Sequence, residues 1–349
     1  MATQIFSVCI PAYNRAKLLA ELLDSVVNQE YGNFEIVIAE DYSPQRIQIG
    51  NIIKDYTERY PGIIRYFENE TNLGYDGNLR RLIELAQGEY VFFMGNDDLM
   101  CPKALALVDD AINRYTDIGV VLRSYATFDG TPDNVVQTFR YFNKERFFPA
   151  GTETISTIYR RSVVIPGMVI HRESAIKYAT DRYDGTLLYQ LYLVAQILTE
   201  KNAVFIPDVT VLYRTGGVPD FGNADAEKRK FEPQNQTPQS SLHFIRGMLD
   251  IAHAVGEECG LPIYRPILRD LANYSYPLLS VQANKPISIF IRYGFDLAKM
   301  GVGQYPLFWI YWLSILLLGT KRVDRLISVI KKRLGYTPTL GKVYEGKSK

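Results

Sequence analysis

Histidine and cysteine are scarce: the chain has three of each in 349 residues. Cys9, Cys101 and Cys259 lie far apart, and His171, His243 and His253 share no ligand spacing. Neither a disulfide framework nor a zinc-type cluster is written here. Few, unpaired cysteines suit a reducing compartment. No charged segment followed by an apolar stretch opens the chain, which argues against a secretory signal. Long apolar runs are missing too. The densest one, residues 305–319, contains both tryptophans, Trp309 and Trp312. As a helix it would reach about 22 Å, short of a hydrocarbon core of about 30 Å. Residues 11–15 lack the glycines of a phosphate loop. A strong net charge is absent as well. Of 39 basic and 38 acidic residues, nine and two fall in residues 320–349, which leaves 30 against 36, or −6, for residues 1–319. The basic excess belongs to the tail, and a general nucleic-acid surface is excluded.

What is present describes a folded chain with a large core: 47% hydrophobic residues, 22% charged, 25 tyrosines and 17 phenylalanines. Residues 5–10 are apolar and end at Pro11; residues 16–28 have helical spacing. A second apolar run, 34–39, leads into Glu40-Asp41-Tyr42-Ser43. A helix over 45–60 stops at Pro61-Gly62, and 63–67 is a third strand. Asn72-Leu73-Gly74 is a turn, 78–86 a helix, and the strand 90–94 stops at Gly95. Strands alternating with helices imply βαβ units and a mostly parallel, Rossmann-like sheet flanked by helices. Right-handed crossovers bring loops 11–15, 40–43 and 95–98 to one edge, where open α/β sheets bind ligands. An unpaired buried charge is costly, so Asp97 and Asp98 belong in that crevice and not within the strand. Oxygen ligands there suit a hard divalent cation.

Farther on, the pattern predicts helices over 102–115, 151–161 and 186–199. It predicts strands at 118–122, 203–206 and 209–213, and an extended stretch over 163–171. The organisation expected is a catalytic domain over 1–218, a polar loop or lid over 219–238, a helical extension over 239–300 and a tail over 301–349. In the tail Val323, Leu326, Ile327, Ile330 and Leu334 share a helical face. Lys321, Arg322, Arg325, Lys331, Lys332 and Arg333 surround it. That pattern marks a helix lying on a membrane surface; an oligomer interface is the alternative use of such a patch.

Four motifs, in this order, resemble glycosyltransferase family 2. They are Ser7-Val8-Cys9-Ile10-Pro11-Ala12-Tyr13-Asn14-Arg15, Glu40-Asp41-Tyr42-Ser43, Asn72-Leu73-Gly74 with Asn78, and Gly88-Glu89-Tyr90 through Asn96-Asp97-Asp98. They cover about the first third of the chain. Gly95-Asn96-Asp97-Asp98 and the stretch from Asp184 to Gln190 are similar to the abequosyltransferase-like branch. The resemblance implies a GT-A fold, a nucleotide-sugar donor, Mn²⁺ or Mg²⁺, and inversion at the anomeric carbon. It implies that Pro11, Ala12, Tyr13 and Arg15 shape the nucleoside and diphosphate site. Asp41 would accept a hydrogen bond from the nucleobase, and Asn72, Gly74, Asn78 and Asn96 would lie on the donor side. Asp97 and Asp98 would hold the metal; Gly95 stands where the family often has a first acid, which leaves a ligand to water.

An inverting transfer needs a carboxylate base. The Glu-Asp pair that relatives place before a second-half helix is absent; Asp184 is the candidate, with Asp181 as rival. Arg214, in Tyr213-Arg214-Thr215-Gly216-Gly217, would bind phosphate bidentately. The activity implied is transfer of a sugar to a saccharide on a polyprenyl carrier, in O-antigen or capsule synthesis. It would occur at the cytoplasmic face of the inner membrane, the protein being peripheral or monotopic. The alternatives are a nucleotide-binding module without catalysis, given the missing acid, and a nucleotidyltransferase.

Overall fold

The computed structural model describes residues 5–217 and 220–334. Its first half follows the expected alternation: β1 (Phe6–Ala12), α1 (Ala16–Val27), β2 (Phe34–Glu40), α2 (Arg46–Arg59), β3 (Ile64–Glu68), α3 (Gly74–Leu85) and β4 (Tyr90–Phe93). Then come β5 (Leu99–Met100), α4 (Ala104–Arg114), β6 (Ile118–Phe128), β7 (Val135–Phe139), β8 (Arg146–Phe148), α5 (Thr152–Ile158), β9 (Val169–His171), α6 (Arg172–Lys177), α7 (Tyr189–Ile197) and β10 (Asn202–Arg214). The carboxyl-terminal part is helical: α8 (Pro238–Cys259), α9 (Tyr264–Asn273), α10 (Tyr276–Ser280), α11 (Ile287–Lys299), α12 (Pro306–Leu318) and α13 (Thr320–Leu334).

One sheet runs β3-β2-β1-β4-β9-β6-β10-β5, with β7 beside β6 and β8 beside β10. The first four strands are parallel. Helices cover both faces, which is why β1 and β2 read as near-continuous apolar runs. The expectation of a mostly parallel sheet is corrected beyond β4. β9 enters antiparallel between β4 and β6, and β5, β7 and β8 also pair antiparallel. β10, expected as two short strands, is one long strand parallel to β6, with a register shift between Ile206 and Val209. Pro207 lies in that gap, where a missing N–H favours a bulge.

Two apolar cores flank the sheet. α1, α2 and α4 pack on one face, and α3, α7 and the helical extension on the other. The extension is not separable from the tail. Phe308, Trp312 and Ile315 of α12 are buried in the core that holds α8 and α9. Burial of each such side chain stabilises by roughly 1.5–3 kcal/mol. Gly294 makes room: a Cβ there would meet Trp312 Nε1 at 2.1 Å. The other side of α12 is open, with Ile310, Leu313, Leu317 and Leu318 exposed. On the face expected for α13, Val323 is buried and Leu326 is exposed. Residues 335–349, and the side chains of Ile330, Lys331, Lys332, Arg333 and Leu334, lie outside what is described. Among the described residues no helix is long and apolar enough to cross a membrane.

Candidate active site

The strand-end loops converge as the parallel topology requires. A cavity of about 370 Å³ opens at the carboxyl ends of β1, β2 and β4. Pro11, Tyr13, Arg15, Asp41, Asn72, Gly74 and Asn78 line it, with Gly95, Asn96, Asp97 and Asp98. Ala12 does not: it is buried in β1, and its carbonyl accepts Asp41 N–H at 2.9 Å.

The first loop is bent by two consecutive residues in the left-handed region, Asn14 (φ 54°) and Arg15 (φ 59°). Asn96 holds it, donating Nδ2–H to the carbonyls of Tyr13 (3.3 Å) and Asn14 (3.1 Å). Arg15 Nη1 meets Asp97 Oδ2 at 2.5 Å. The bend thus places a guanidinium on the carboxylate pair.

Asp98 is 1% exposed, and its Oδ1 accepts Arg214 N–H at 2.9 Å. Burial lifts Asp97 above the ordinary carboxylate range, and burial together with the charge of Asp97 lifts Asp98 well above it. Gly95 has a geometric reason. A Cβ there would meet Asp98 Oδ2 at 2.5 Å, so the Asp98 carboxylate occupies the space a side chain at 95 would need. The two adjacent carboxylates are desolvated despite the neighbouring charges of Arg15 and Arg214, and their oxygens fit a hard divalent cation. No cluster of three or more His, Cys, Asp or Glu side chains suited to a metal occurs among the described residues. Water and phosphate would complete the coordination.

Asp41 is buried and accepts three hydrogen bonds: Asn69 Nδ2 (2.8 Å) and Leu73 N (2.8 Å) on Oδ1, and Gly74 N (2.9 Å) on Oδ2. Burial nevertheless pushes its pKa up to about 6. Its main work is to hold the turn at 72–74, which leaves about one lone pair for a nucleobase. Asn72 Oδ1 closes the same turn on Gly74 N at 2.9 Å. Asn78 bridges inward, donating to Ala39 O and accepting from Asn69.

Two of the expected residues are engaged by other side chains. Asp184 is not in the cavity wall. Its carboxylate takes both Nη groups of Arg80, at 2.7 and 2.8 Å, and so braces α3 to the segment before α7. Arg214 reaches the wall, but its guanidinium is engaged elsewhere: Nε to Asp97 O (2.9 Å), Nη1 to Gly130 O (3.1 Å) and Nη2 to Glu21 (2.5 Å). In this arrangement it buttresses the carboxylate loop.

The structure adds residues the motifs did not mark. Of the loop expected over 219–238, the described residues Asp220, Phe221, Asn223 and Glu227 line the cavity. Glu227, almost fully buried, latches it: Oε1 accepts Tyr75 N–H and Oε2 accepts Gly222 N–H, both at 2.7 Å. Asp76, 1% exposed, gathers the N–H groups of Thr186, Leu187 and Tyr189, and so fixes Leu187 (φ 64°) in the wall. The polar composition of the lid was a sequence signal for its existence; its individual contacts had none.

Residues 7–178 match the family model Glycosyl transferase family 2. Abequosyltransferase RfbV of Salmonella typhimurium is 34% identical over 114 residues, 33% of this chain and 34% of that protein. Amylovoran biosynthesis glycosyltransferase AmsB of Erwinia amylovora is 38% identical over 94 residues, 27% of this chain and 31% of that protein. The chain thus spans about a third of the length of these curated relatives. Among solved structures, S. aureus TarS 1-349 in complex with UDP-GlcNAc superposes with a TM-score of 0.60 at 17% identity, over 95% of this chain and 93% of that one. Mannosyltransferase PcManGT from Pyrobaculum calidifontis, in complex with GDP-Man and Mn²⁺, gives 0.51 at 16% identity, over 90% and 86%. These likenesses establish the GT-A arrangement of a mixed α/β sheet. It is over residues 7–178, just under half of the chain, that the match to glycosyl transferase family 2 runs.

Proposed function

We propose that this chain transfers a sugar from a nucleotide-sugar to a saccharide acceptor during synthesis of a bacterial surface polysaccharide. The observation that carries the reading is the meeting of Arg15, Asp41, the turn at 72–74 and the Asp97–Asp98 pair around one cavity. Asp41 and the turn form the nucleoside end. Arg15 and the carboxylate pair form the diphosphate end, where a divalent cation held by Asp97 and Asp98 would offset charge on the leaving nucleotide. The lid carries four lining residues, which would screen the donor from water.

For inversion we assign the acceptor proton to Asp220. Asp41, Asp97, Asp98 and Glu227 are each engaged by backbone N–H groups or by Arg15. Asp220 has one long contact, 3.4 Å from Asn14 Nδ2. The acceptor is read as polyprenyl-linked and the protein as peripheral on the cytoplasmic face. Support comes from the exposed Leu313 and Leu317 of α12 beside the exposed basic residues Lys321, Arg322 and Arg325 of α13. The test is release of nucleoside diphosphate from UDP-, GDP-, CDP- and dTDP-sugars with and without Mn²⁺. Mn²⁺-dependent release from at least one donor is expected. Tight nucleotide binding with no release under any condition would instead support a non-catalytic module.

A further inference from the structure

Helices α11 and α12 meet along an aromatic seam. The Phe295 ring of α11 lies 6.1 Å from the Trp309 ring and 5.4 Å from the Trp312 ring of α12, centre to centre. Trp312 is buried in the core behind the seam. Trp309 is half-buried and donates Nε1–H to Gly303 O at 2.8 Å. Phe295 is held against both rings and yet stays 48% exposed.

The exposed apolar surface continues along α12. At about 100° per residue, Ile310, Leu313 and Leu317 fall within an arc of about 60°, on the side away from Phe308, Trp312 and Ile315. All three are exposed. Leu313 lies one turn beyond Trp309, so Trp309 joins this stripe to Phe295. The rim is basic. Arg292 and Lys299 lie one turn to either side of Phe295 on the same face of α11. Their side chains are 86% and 78% exposed, and both approach the single carboxylate of Asp296, at 3.9 and 3.6 Å. Lys321, Arg322 and Arg325 are exposed on α13. Residues 287–329 thus hold five bases against two acids, Asp296 and Asp324.

An apolar stripe with a positive rim complements a bilayer of anionic head groups. A second copy of this chain would bring the same positive rim against itself, which disfavours pairing. Resting on the peripheral reading above, which drew on α12 and α13, we propose that α11 shares the lipid contact. Phe295 enters the head-group boundary beside Trp309, and Arg292 and Lys299 meet lipid phosphates. Phe308, Trp312 and Ile315 dock α12 in the core, so this face exists before any membrane is met.

Both tryptophans of the chain lie in α12, so intrinsic fluorescence reads this surface alone. The full chain is titrated with vesicles of equal parts phosphatidylglycerol and phosphatidylcholine, the latter plain or brominated in its acyl chains. Binding, quenching by the brominated lipid and release at high salt are expected. Arg292→Gln with Lys299→Gln changes only side chains in solvent and should weaken binding about tenfold or more. Phe295→Ser should weaken binding and reduce quenching. Binding that is lost in Leu313→Glu with Leu317→Glu, but unchanged in both α11 variants, overturns this inference and leaves the peripheral reading standing. No binding of the unaltered chain to these vesicles removes both, while the transferase reading rests on its own test of nucleoside diphosphate release. Self-association abolished by Phe295→Ser, without vesicle binding, would overturn the inference by assigning the surface to a second copy.

Discussion

Replacing Asp41 by asparagine separates what its charge does for the fold from what it does for the donor. An asparagine oxygen in the place of Oδ1 keeps the contacts to Asn69 and Leu73. Its amide nitrogen then faces Gly74 N–H, and one charge-assisted hydrogen bond worth about 1.5–3 kcal/mol is lost. Against this stands the burial of the ionised form. The Asp41 pKa is raised from 3.8 to about 6. A carboxyl that binds its proton more tightly when folded stabilises the protein at low pH, and that contribution fades as pH rises through the window between those two values. At about pH 7 the ionised group then costs roughly 3 kcal/mol, and at about pH 4.5 roughly 1 kcal/mol. The Asp41→Asn variant carries no such cost. The difference in unfolding free energy, variant minus wild type, should therefore shift in the variant's favour by about 2 kcal/mol between about pH 4.5 and pH 7. Urea unfolding at the two pH values measures it. Donor affinity should fall in the same variant, because the turn at 72–74 loses a tether. A stability difference that does not change with pH would show that burial does not strain the Asp41 charge. A donor affinity equal to wild type would show that the turn does not depend on it.

Glu227→Gln loosens the lid by removing one charge-assisted acceptor from Tyr75 or Gly222; donor KM should rise about tenfold with a smaller change in kcat, read by steady-state kinetics. Asp184→Asn should keep most of the activity and lower stability by about 1–2 kcal/mol, since it breaks a half-buried pair with Arg80; Asp220→Asn should do the opposite, lowering kcat with donor KM near wild type. Leu313→Glu with Leu317→Glu should reduce co-sedimentation with anionic vesicles and leave soluble donor turnover intact; unchanged co-sedimentation would point to an oligomer interface, to be read by light scattering.

The amino-terminal third was readable from sequence because each unit there is local. A buried parallel strand announces itself as an apolar run, and its loop begins where a proline, glycine or acid ends that run. Topology alone then brings Pro11, Asp41 and Asp97 together. What was unreadable depends on partners far apart in the chain. Asp184 looked available because nothing near it in sequence binds it, yet Arg80 lies 104 positions away. Arg214 looked like a phosphate ligand until Glu21, 193 positions earlier, took its guanidinium. Asp76 and Glu227 act on backbone N–H groups 110 and 152 positions distant. β9 falls within the extended stretch expected over 163–171, but three residues of pairing leave no period from which its antiparallel place in the sheet could be read. The orientation of the tail helices was unreadable for a related reason. α12 is apolar all round, so sequence could not say that Phe308 and Trp312 face the core while Leu317 faces outward.

Everything proposed for the site depends on Asp97 and Asp98 holding a cation at the diphosphate end of the cavity. A crystal grown with Mn²⁺ and the nucleoside diphosphate that most raises the melting temperature would decide it, with anomalous scattering recorded at the manganese edge. A single peak within bonding distance of the Asp97 carboxylate and the diphosphate, with the base beside Asp41, is the expected result. Nucleotide bound with its diphosphate away from Asp97, and no manganese at the pair, would contradict it.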